Sequence, residues 1–420
     1  MKPTVIFHSN YSLAKTGFGR NARAILTYLY KTGKYNLVNY ACGMPEKHAE
    51  FQRMPWTTVG CLPNNQQEID RLNKDPNVAR AASYGGHLID KTIQELKPKL
   101  WIGCEDPWAF PEYFKKAWYK NINTCIWTTL DSLPILPSAF EHAKNEKNYF
   151  VWSEFAMKAL HELGATDVKT MHGAVEAEYF YRLPSSQRVG LREKFNVPKD
   201  AFVVGFVFRN QLRKSIPNLL EGYKLWKDRN PDMKNTFLLL HTHFGEGWNI
   251  HRLAEQYKVN KNEILCTYIC RNCASYEVKN FSGQDQKCRF CESDKSQVTA
   301  NVQTGVSEEQ LNEVYNLMDV YIHPFTSGGQ EIPIQEAKLA GLVTLVTDYS
   351  CGEDMCVPEA HSFALEWSKY TETGTEFIKA STTPSSIAKQ LTRVYNMSPR
   401  ERENMGDKAR EWTLKNYSTQ

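Results

Sequence analysis

Short apolar runs alternate with amphipathic stretches along this chain, and the alternation occurs twice. In the first half, strands are expected at Thr4–Ser9, Leu37–Ala41, Leu100–Gly103, Thr124–Thr128 and Tyr149–Trp152. Helices are expected at Asn21–Thr32, Ser83–Leu96 and Glu154–Leu163, the last with Ser153 as its N-cap. A Pro- and Ser-containing stretch, 182–200, interrupts the pattern with a short helical piece and reads as a linker. The second series places strands at Phe202–Phe208, Thr236–His241, Glu263–Thr267, Val320–Ile322 and Thr344–Thr347. It places helices at Pro217–Asp228, Ile250–Tyr257, Glu308–Leu317 and Ile334–Ala340, and a mostly helical tail at Ser385–Tyr417. Such alternation is the pattern of α/β domains with parallel sheets. At 420 residues the chain exceeds the roughly 250–300 that one core accommodates. The expected architecture is therefore two Rossmann-like, doubly wound domains facing a cleft, at 1–182 and 183–384. The helices of 385–420 are expected to pack back across the domains. Ligands in such folds bind beyond the carboxyl ends of the strands.

Composition narrows the class without naming a partner. Hydrophobic residues make up 41% and charged residues 23%, which excludes wholesale disorder. A net charge of +4 is too mild to imply nucleic-acid binding by itself, although residues 1–45 hold Lys2, Lys15, Arg20, Arg23, Lys31 and Lys34 and no acid. No apolar run approaches the roughly 20 residues of a membrane helix, Ala201–Phe208 being among the longest, so no transmembrane segment is expected. The start of the chain does not resemble a signal peptide, so a cytoplasmic, reducing setting is expected. In that setting regularly spaced cysteines read as metal ligands rather than disulfides.

Between the strand ending near Thr267 and the helix beginning near Ser307 lie about forty residues, too long for a plain connection. Within 266–303 the pairs Cys270/Cys273 and Cys288/Cys291 form C-x2-C-x14-C-x2-C. Two such knuckles enclose a tetrahedral ion and leave no open position, which predicts a structural zinc, one per chain, in a zinc-ribbon-like insert. Four free cysteines or an iron–sulfur cluster are the alternatives. The insert carries five basic and four acidic residues and is no electrostatic clamp.

Two further constellations suit a diphosphate. Arg209 and Lys214 follow the strand AFVVGFVF, where a guanidinium and an ammonium can converge on one anion. The alternative is a solvated pair of surface cations. In Thr326-Ser-Gly-Gly-Gln-Glu-Ile-Pro-Ile-Gln-Glu336, Gly328 and Gly329 would let backbone amides approach an anion at a helix N-terminus. Glu336 could accept from a ribose diol. Gly17-x-Gly19-x-x-Ala22 formally matches a dinucleotide fingerprint. It begins eight residues after its strand, however, and residues 33–45 offer no acid for a ribose, which argues against a nicotinamide or flavin. Asp131, ahead of Glu105 and Asp106, is the candidate for proton transfer or charge stabilisation, because both acidic segments follow strands.

These residues resemble the retaining GT-B glycosyltransferases of family four (glycosyltransferase group 1). The family carries an Arg with a Lys five residues later, then a Glu-x7-Glu segment followed by Ala and a Gly-x-Pro-Val-like strand. Here the counterparts are Arg209, Lys214, Pro333, Glu336, Ala337 and Gly341-Leu-Val-Thr-Leu-Val. The first half resembles the family's amino-terminal domain through Gly17-Phe-Gly19, Val-Trp-Ser153-Glu-Phe-Ala and His172-Gly-Ala-Val-Glu176. The resemblance implies that Arg209 and Lys214 hold the donor diphosphate and offset charge on the leaving nucleotide. It implies that Glu336 binds the ribose, and that the segment Gly328, Gly329, Gln330, Glu331 and Ile332 cradles phosphates and sugar, with Gly17 and Gly19 at the cleft wall. Positive side chains and helix dipoles would then replace a catalytic metal. The sequence departs from the pattern where Gly328 stands in place of the first Glu, leaving Glu331 as its possible substitute, and where Ser215 follows Lys214 in place of Gly.

The expected reaction is sugar transfer from a nucleotide-diphosphate sugar, with retention, to an acceptor hydroxyl. The metal-knuckle insert and the acid-free opening favour a polymeric, anionic acceptor: a hydroxymethylated pyrimidine in DNA, a modification phages use, which would place the protein in a host cytoplasm. The alternatives are a cytosolic transferase of cell-surface polysaccharide or glycolipid synthesis, and a non-catalytic nucleotide-sugar-binding or scaffold protein. Oligomeric state cannot be read from the sequence.

Overall fold

The computed structural model describes residues 2–419. The chain forms two compact units, one ending at Val175 and the other running from Glu176 to Ser418. In the first unit, β1 (Thr4–Asn10), β2 (Asn36–Pro45), β3 (Thr57–Leu62), β4 (Leu100–Gly103), β5 (Asn123–Thr128), β6 (Tyr149–Val151) and β7 (Lys169–Thr170) form one sheet in the order β3-β2-β1-β4-β5-β6-β7. All of its strand pairs are parallel. Strand β3 escapes sequence reading because its Thr-Thr start sits at a half-exposed sheet edge and carries no apolar run.

The expected helix Ser83–Leu96 is two elements, Pro76–Ser83 and Ile89–Leu96. Gly85 breaks it with φ +77°, and a Cβ there would stand 2.6 Å from the Tyr40 hydroxyl. That hydroxyl donates to Gly85 O at 2.9 Å, so the break is packed into the core rather than frayed. The first helix begins at Gly17 rather than Asn21. Thr16 caps it by accepting from Gly19 N, so both glycines lie in a helical turn and not in a loop.

The second unit holds β8 (Phe202–Val207), β9 (Thr236–His241), β10 (Ile264–Cys270), β11 (Tyr276–Asn280), β12 (Gln297–Thr299), β13 (Val320–His323), β14 (Val343–Thr347) and β15 (Ser362–Leu365). Their order is β11-β10-β9-β8-β13-β14-β15, with β12 also on β10. The parallel strands of both units thus follow the doubly wound order 3-2-1-4-5-6. In that order the connections diverge between the first and fourth strands and open a crevice at their carboxyl ends. The crevice lies between β1 and β4 in the first unit and between β8 and β13 in the second. Fully buried Phe206, Leu239, Tyr315, Tyr321 and Trp226 build the second core.

The linker reading of 182–200 does not survive. Its helix, Ser185–Lys194, carries a buried Arg192 that pairs with Asp319 at 2.8 Å, and the same carboxylate accepts from Val203 N. One charge pair therefore binds this segment to the starts of β8 and β13. The cysteine segment is also less separate than its spacing suggests. Strand β10 runs on to Cys270, with β11 antiparallel along one edge and β12 pairing residues 268–270 beyond the reach of β9. A ribbon, β16 (Trp367–Thr371) and β17 (Ile378–Thr382), precedes the C-terminal helices Pro384–Asn396 and Pro399–Tyr417.

Candidate functional site

The second unit's switch point holds a buried charge network. The segment after β8 turns through Arg213 and Lys214, and the segment after β13 delivers Glu331. One Glu331 carboxylate oxygen accepts from Arg213 and the other from Lys214. His323, the last residue of β13, brings Nε2 within 2.9 Å of the oxygen that Lys214 also uses. The side chains of Lys214 and Glu331 are each 4% exposed, whereas that of Arg213 is 39% exposed. The two segments are laced together by Thr326 N donating to Arg213 O at 2.8 Å.

The electrostatics follow from burial and proximity. Burial alone would raise the Glu331 carboxyl, but the Arg213 guanidinium, the Lys214 ammonium and His323 outweigh it and hold it well below the usual range. Burial, then repulsion from Arg213, brings the Lys214 ammonium down to about 8 against the pull of Glu331. Burial pushes His323 down to about 4, so at pH 7 the imidazole is neutral. A carboxylate only accepts, so Nε2 carries the proton toward Glu331 and Nδ1 accepts from the Tyr321 hydroxyl at 2.8 Å. Removing one member of a buried set like this strands the others' charge, so the network rigidifies the loop it occupies.

The residues expected at the donor site lie in different settings. Arg209 is not part of the network: its side chain is 55% exposed and its Nε lies 3.3 Å from Glu246. Arg213, which sequence reading missed, supplies the guanidinium of the network, and its signal was the Arg-Lys dipeptide closing the turn after β8. The Gly328 amide donates to Ser350 Oγ at 3.2 Å, and that hydroxyl returns a bond to Gly328 O at 2.7 Å. Gly328 therefore fixes the loop with a partner already in place, and its amide is not presented to an anion. Gly329 and Gln330 are half-buried just ahead of the helix Ile332–Leu339, with Ile332 and Glu336 buried within it. Glu336 accepts from the Tyr315 hydroxyl at 2.7 Å.

Gly328 has one further property. A Cβ built on it would lie 2.4 Å from Glu331 Oε1 and 3.2 Å from its Cδ and Cγ. The Glu331 side chain folds back into the space that a side chain at 328 would enter. A carboxylate is thus supplied beside position 328 from three residues further on.

Of the acids expected to act in the first unit, Glu105 rather than Asp131 is buried. It follows β4, is 3% exposed and accepts from Asn10, whose Oδ1 takes the Thr16 hydroxyl at 2.6 Å. Burial, with the Asp106 charge beside it, raises Glu105 well above the ordinary range. Asp106 accepts from Thr129 at 2.7 Å, and the half-buried Asp131 accepts from Ser132 at 3.2 Å. Gly19 is connected to Glu105 through Thr16 and Asn10.

The four cysteines of the insert come together with all sulfurs within 4.8 Å of one another. Cys270–Cys291 and Cys273–Cys288 are separated by 3.6 and 3.8 Å. Zinc–sulfur bonds of about 2.3 Å generate tetrahedral edges of about 3.8 Å, so the set fits one zinc ion. A multi-iron cluster would hold the two pairs further apart. Backbone amides of Asn272 and Cys273 point at the Cys270 sulfur at 3.4 and 3.5 Å, and that of Phe290 at the Cys288 sulfur at 3.4 Å. These contacts suit thiolates.

No protein-family model and no curated protein matches the sequence. Solved structures do. The chain is similar to a glycosyltransferase from Rickettsia africae ESF-5 at TM-score 0.67 and 14% identity, over 99% of this chain and 94% of that one. It is similar to sucrose-phosphate synthase of Thermosynechococcus elongatus at TM-score 0.64 and 13% identity, over 100% and 95%. It is also similar to Anabaena HepE in complex with UDP and glucose, at 0.63 and 13%, over 99% and 96%. At this identity the likeness establishes the fold: two parallel-sheet α/β units of the GT-B type, with the cysteine-bearing insert in the second. No helix among the described residues is long and apolar enough to cross a membrane.

Two outcomes are expected. Metal analysis of the purified chain should return about one zinc per chain, a stoichiometry that Cys288→Ser abolishes. A metal-free wild-type chain with an ordered insert would remove the assignment. Ser215, directly after Lys214, sits at φ +47° and ψ +38° without a side-chain capping bond. Ser215→Gly should therefore raise stability of the second unit by about 1 kcal/mol in denaturant unfolding, and a loss would contradict the strain argument.

Proposed function

We propose that this protein is a retaining glycosyltransferase that takes its sugar from a nucleotide-diphosphate sugar bound at the switch point of the second unit. The observation that carries the reading is the Arg213–Lys214–Glu331 network, two cations and a carboxylate at the ends of β8 and β13, where doubly wound folds bind ligands. Lys214 and Arg213 bind the diphosphate and offset the charge that develops on it as the glycosidic bond breaks. The helix Ile332–Leu339 points its N-terminus at the same region, with Gly329 and Gln330 ahead of it. Glu336, oriented by Tyr315, receives the ribose. Arg209, next to Glu246 after the same strand, acts at the margin of this site.

Glu331 takes the part of the family's missing first carboxylate and meets the donor sugar's hydroxyls, as its position in the space beside Gly328 supports. This also argues against the scaffold reading, because the side chain that the sequence lacks at 328 is supplied from 331. HepE, which shares the fold, is solved with UDP and glucose, and that supports a nucleotide sugar here. In the first unit Glu105 and Asp131 are the acidic groups offered to the acceptor hydroxyl. The zinc, when bound, orders the two knuckles, and no step of transfer runs through it.

For the acceptor, the acid-free basic opening of the chain supports a hydroxymethylated pyrimidine in DNA. A saccharide acceptor is supported by the shared fold with sucrose-phosphate synthase. A screen of nucleotide sugars against hydroxymethylated DNA, ordinary DNA and glycan acceptors, read by product mass, decides between them. Product on hydroxymethylated DNA alone establishes the first reading, and product only on glycan removes it. Binding without transfer or donor hydrolysis would establish the scaffold.

Two predictions test the donor site. Gly328→Glu alone should clash with Glu331, and Glu331→Gly alone should leave Lys214 without its counter-ion, so each should lower kcat/KM by about a hundredfold or more. The double variant, which restores the carboxylate at 328, should recover at least about tenfold of that loss. Strictly additive losses would sink the substitution argument. Because burial brings the Lys214 ammonium down to about 8 and only the charged form binds the diphosphate, kcat/KM for donor should fall above about pH 8. His323, at about 4, adds no step in that window. Lys214→Arg should lower the rate and abolish the alkaline limb, and an unchanged limb would assign it elsewhere.

A further inference from the structure

The ribbon β16–β17 brings another cation to the donor loop. Strand β17 lies against the loop after β13, with Ala380 N donating to Thr326 O at 2.9 Å, while Thr326 N donates to Arg213 O at 2.8 Å. Three chain segments thus run side by side: the turn bearing Arg213, the loop Thr326–Ser327, and β17. The ribbon is fixed at the carboxyl end of β14 by the Thr347–Thr382 hydroxyl contact at 2.7 Å and by the Tyr349 hydroxyl on Ile378 O at 2.6 Å. In the ribbon's register Lys379 stands opposite Tyr370, so both side chains project from one face, and both reach the loop. The Tyr370 hydroxyl meets Thr326, and Lys379 Nζ donates to Ser327 Oγ at 2.8 Å.

Lys379 is 8% exposed, and Ser327 is fully buried. Arg213 takes the other polar atom of the same residue, its Nη1 lying 3.3 Å from Ser327 O. A guanidinium and an ammonium therefore flank one serine immediately before Gly328. Glu331, the carboxylate of the network, is shared by Arg213, Lys214 and His323. Two cations on either side of one loop residue are placed to share an anion between them. Arg209 and Lys214 were legible from spacing. Lys379 lies 165 residues beyond Lys214 in the sequence, and only the docking of β17 on Thr326 brings it near.

We propose that Lys379 is a third donor-anion contact, a positioning and specificity residue that engages the distal phosphate of the nucleotide diphosphate. The proposal rests on the donor site argued above and adds to it a residue outside both motifs. The first two cations hold the diphosphate at the ends of β8 and β13. Lys379 approaches from the ribbon side of Ser327 and makes the site prefer a diphosphate to a monophosphate.

Calorimetry of the full chain with UDP, GDP and ADP, each beside its monophosphate, tests this. Wild type should bind at least one diphosphate more tightly than its monophosphate. Lys379→Met should weaken that diphosphate by at least about tenfold while changing the monophosphate by less than about twofold. Lys379→Arg should recover most of the preference. Lys369→Met, on the exposed neighbouring strand, should bind as wild type does. Melting curves without nucleotide check that each variant is folded, and Lys379→Gln replaces Lys379→Met should the latter not fold.

Unchanged diphosphate binding by a folded Lys379 variant overturns this proposal and leaves the donor site standing. An equal loss of both nucleotides also overturns it, because that pattern belongs to a loop prop and not to a phosphate contact. Failure of wild type to bind any of the three diphosphates overturns the donor site, and this inference with it.

Discussion

The second unit turns on a single buried carboxylate. Glu331 holds Arg213 with one oxygen and Lys214 with the other, while His323 adds a neutral hydrogen bond. Each partner comes from the carboxyl end of β8 or β13, so the contact ties the two strands on either side of the switch point. A buried ammonium and a buried carboxylate are costly apart and tolerable together, which is why the loop carrying Glu331 is held in one place. Ser350, bonded to both the amide and the carbonyl of Gly328, fixes the other side of that loop.

The same contact explains the glycine at 328. The Glu331 side chain lies where a side chain on residue 328 would enter, so any side chain at 328 would have to push the carboxylate from its place between Arg213 and Lys214. The carboxylate beside Gly328 is thus borne by residue 331 and contacts both cations. Ser215 is a second adjustment nearby. It occupies a left-handed conformation that glycine adopts without steric cost, directly after the lysine that Glu331 neutralises.

The cysteine insert is integrated rather than appended. On one edge strand β10 pairs with parallel β9 over its first half and with antiparallel β12 over its second, while β11 runs antiparallel along the other edge. The two knuckles therefore grow from the sheet itself. The Tyr276 hydroxyl on Glu313 and Gln310 Nε2 on Ala274 O fasten them to the helix Glu308–Asn316. A zinc at the four sulfurs would close a structure whose base is already built.

Sequence alone determined what depends on local period and spacing. The two rounds of strand and helix were legible because apolar runs repeat at strand length and amphipathic stretches at helix length. The metal set was legible because two C-x2-C pairs are each a local turn. Lys214, Glu331 and Glu336 were singled out through motif resemblance, and the structure joins the first two in one buried pair. Tertiary structure decided the rest. Arg213 joins the network and Arg209 does not, because the direction of the turn after β8 selects which guanidinium faces inward. Glu105 is buried and Asp131 is not, because Asn10 at the end of β1 reaches across to the segment after β4. Lys379 comes to Ser327 only through the pairing of β17 with the loop after β13. Such contacts join segments far apart in the chain, and no local pattern encodes them, because the energy that selects them comes from burial and pairing that exist only once the sheet has formed.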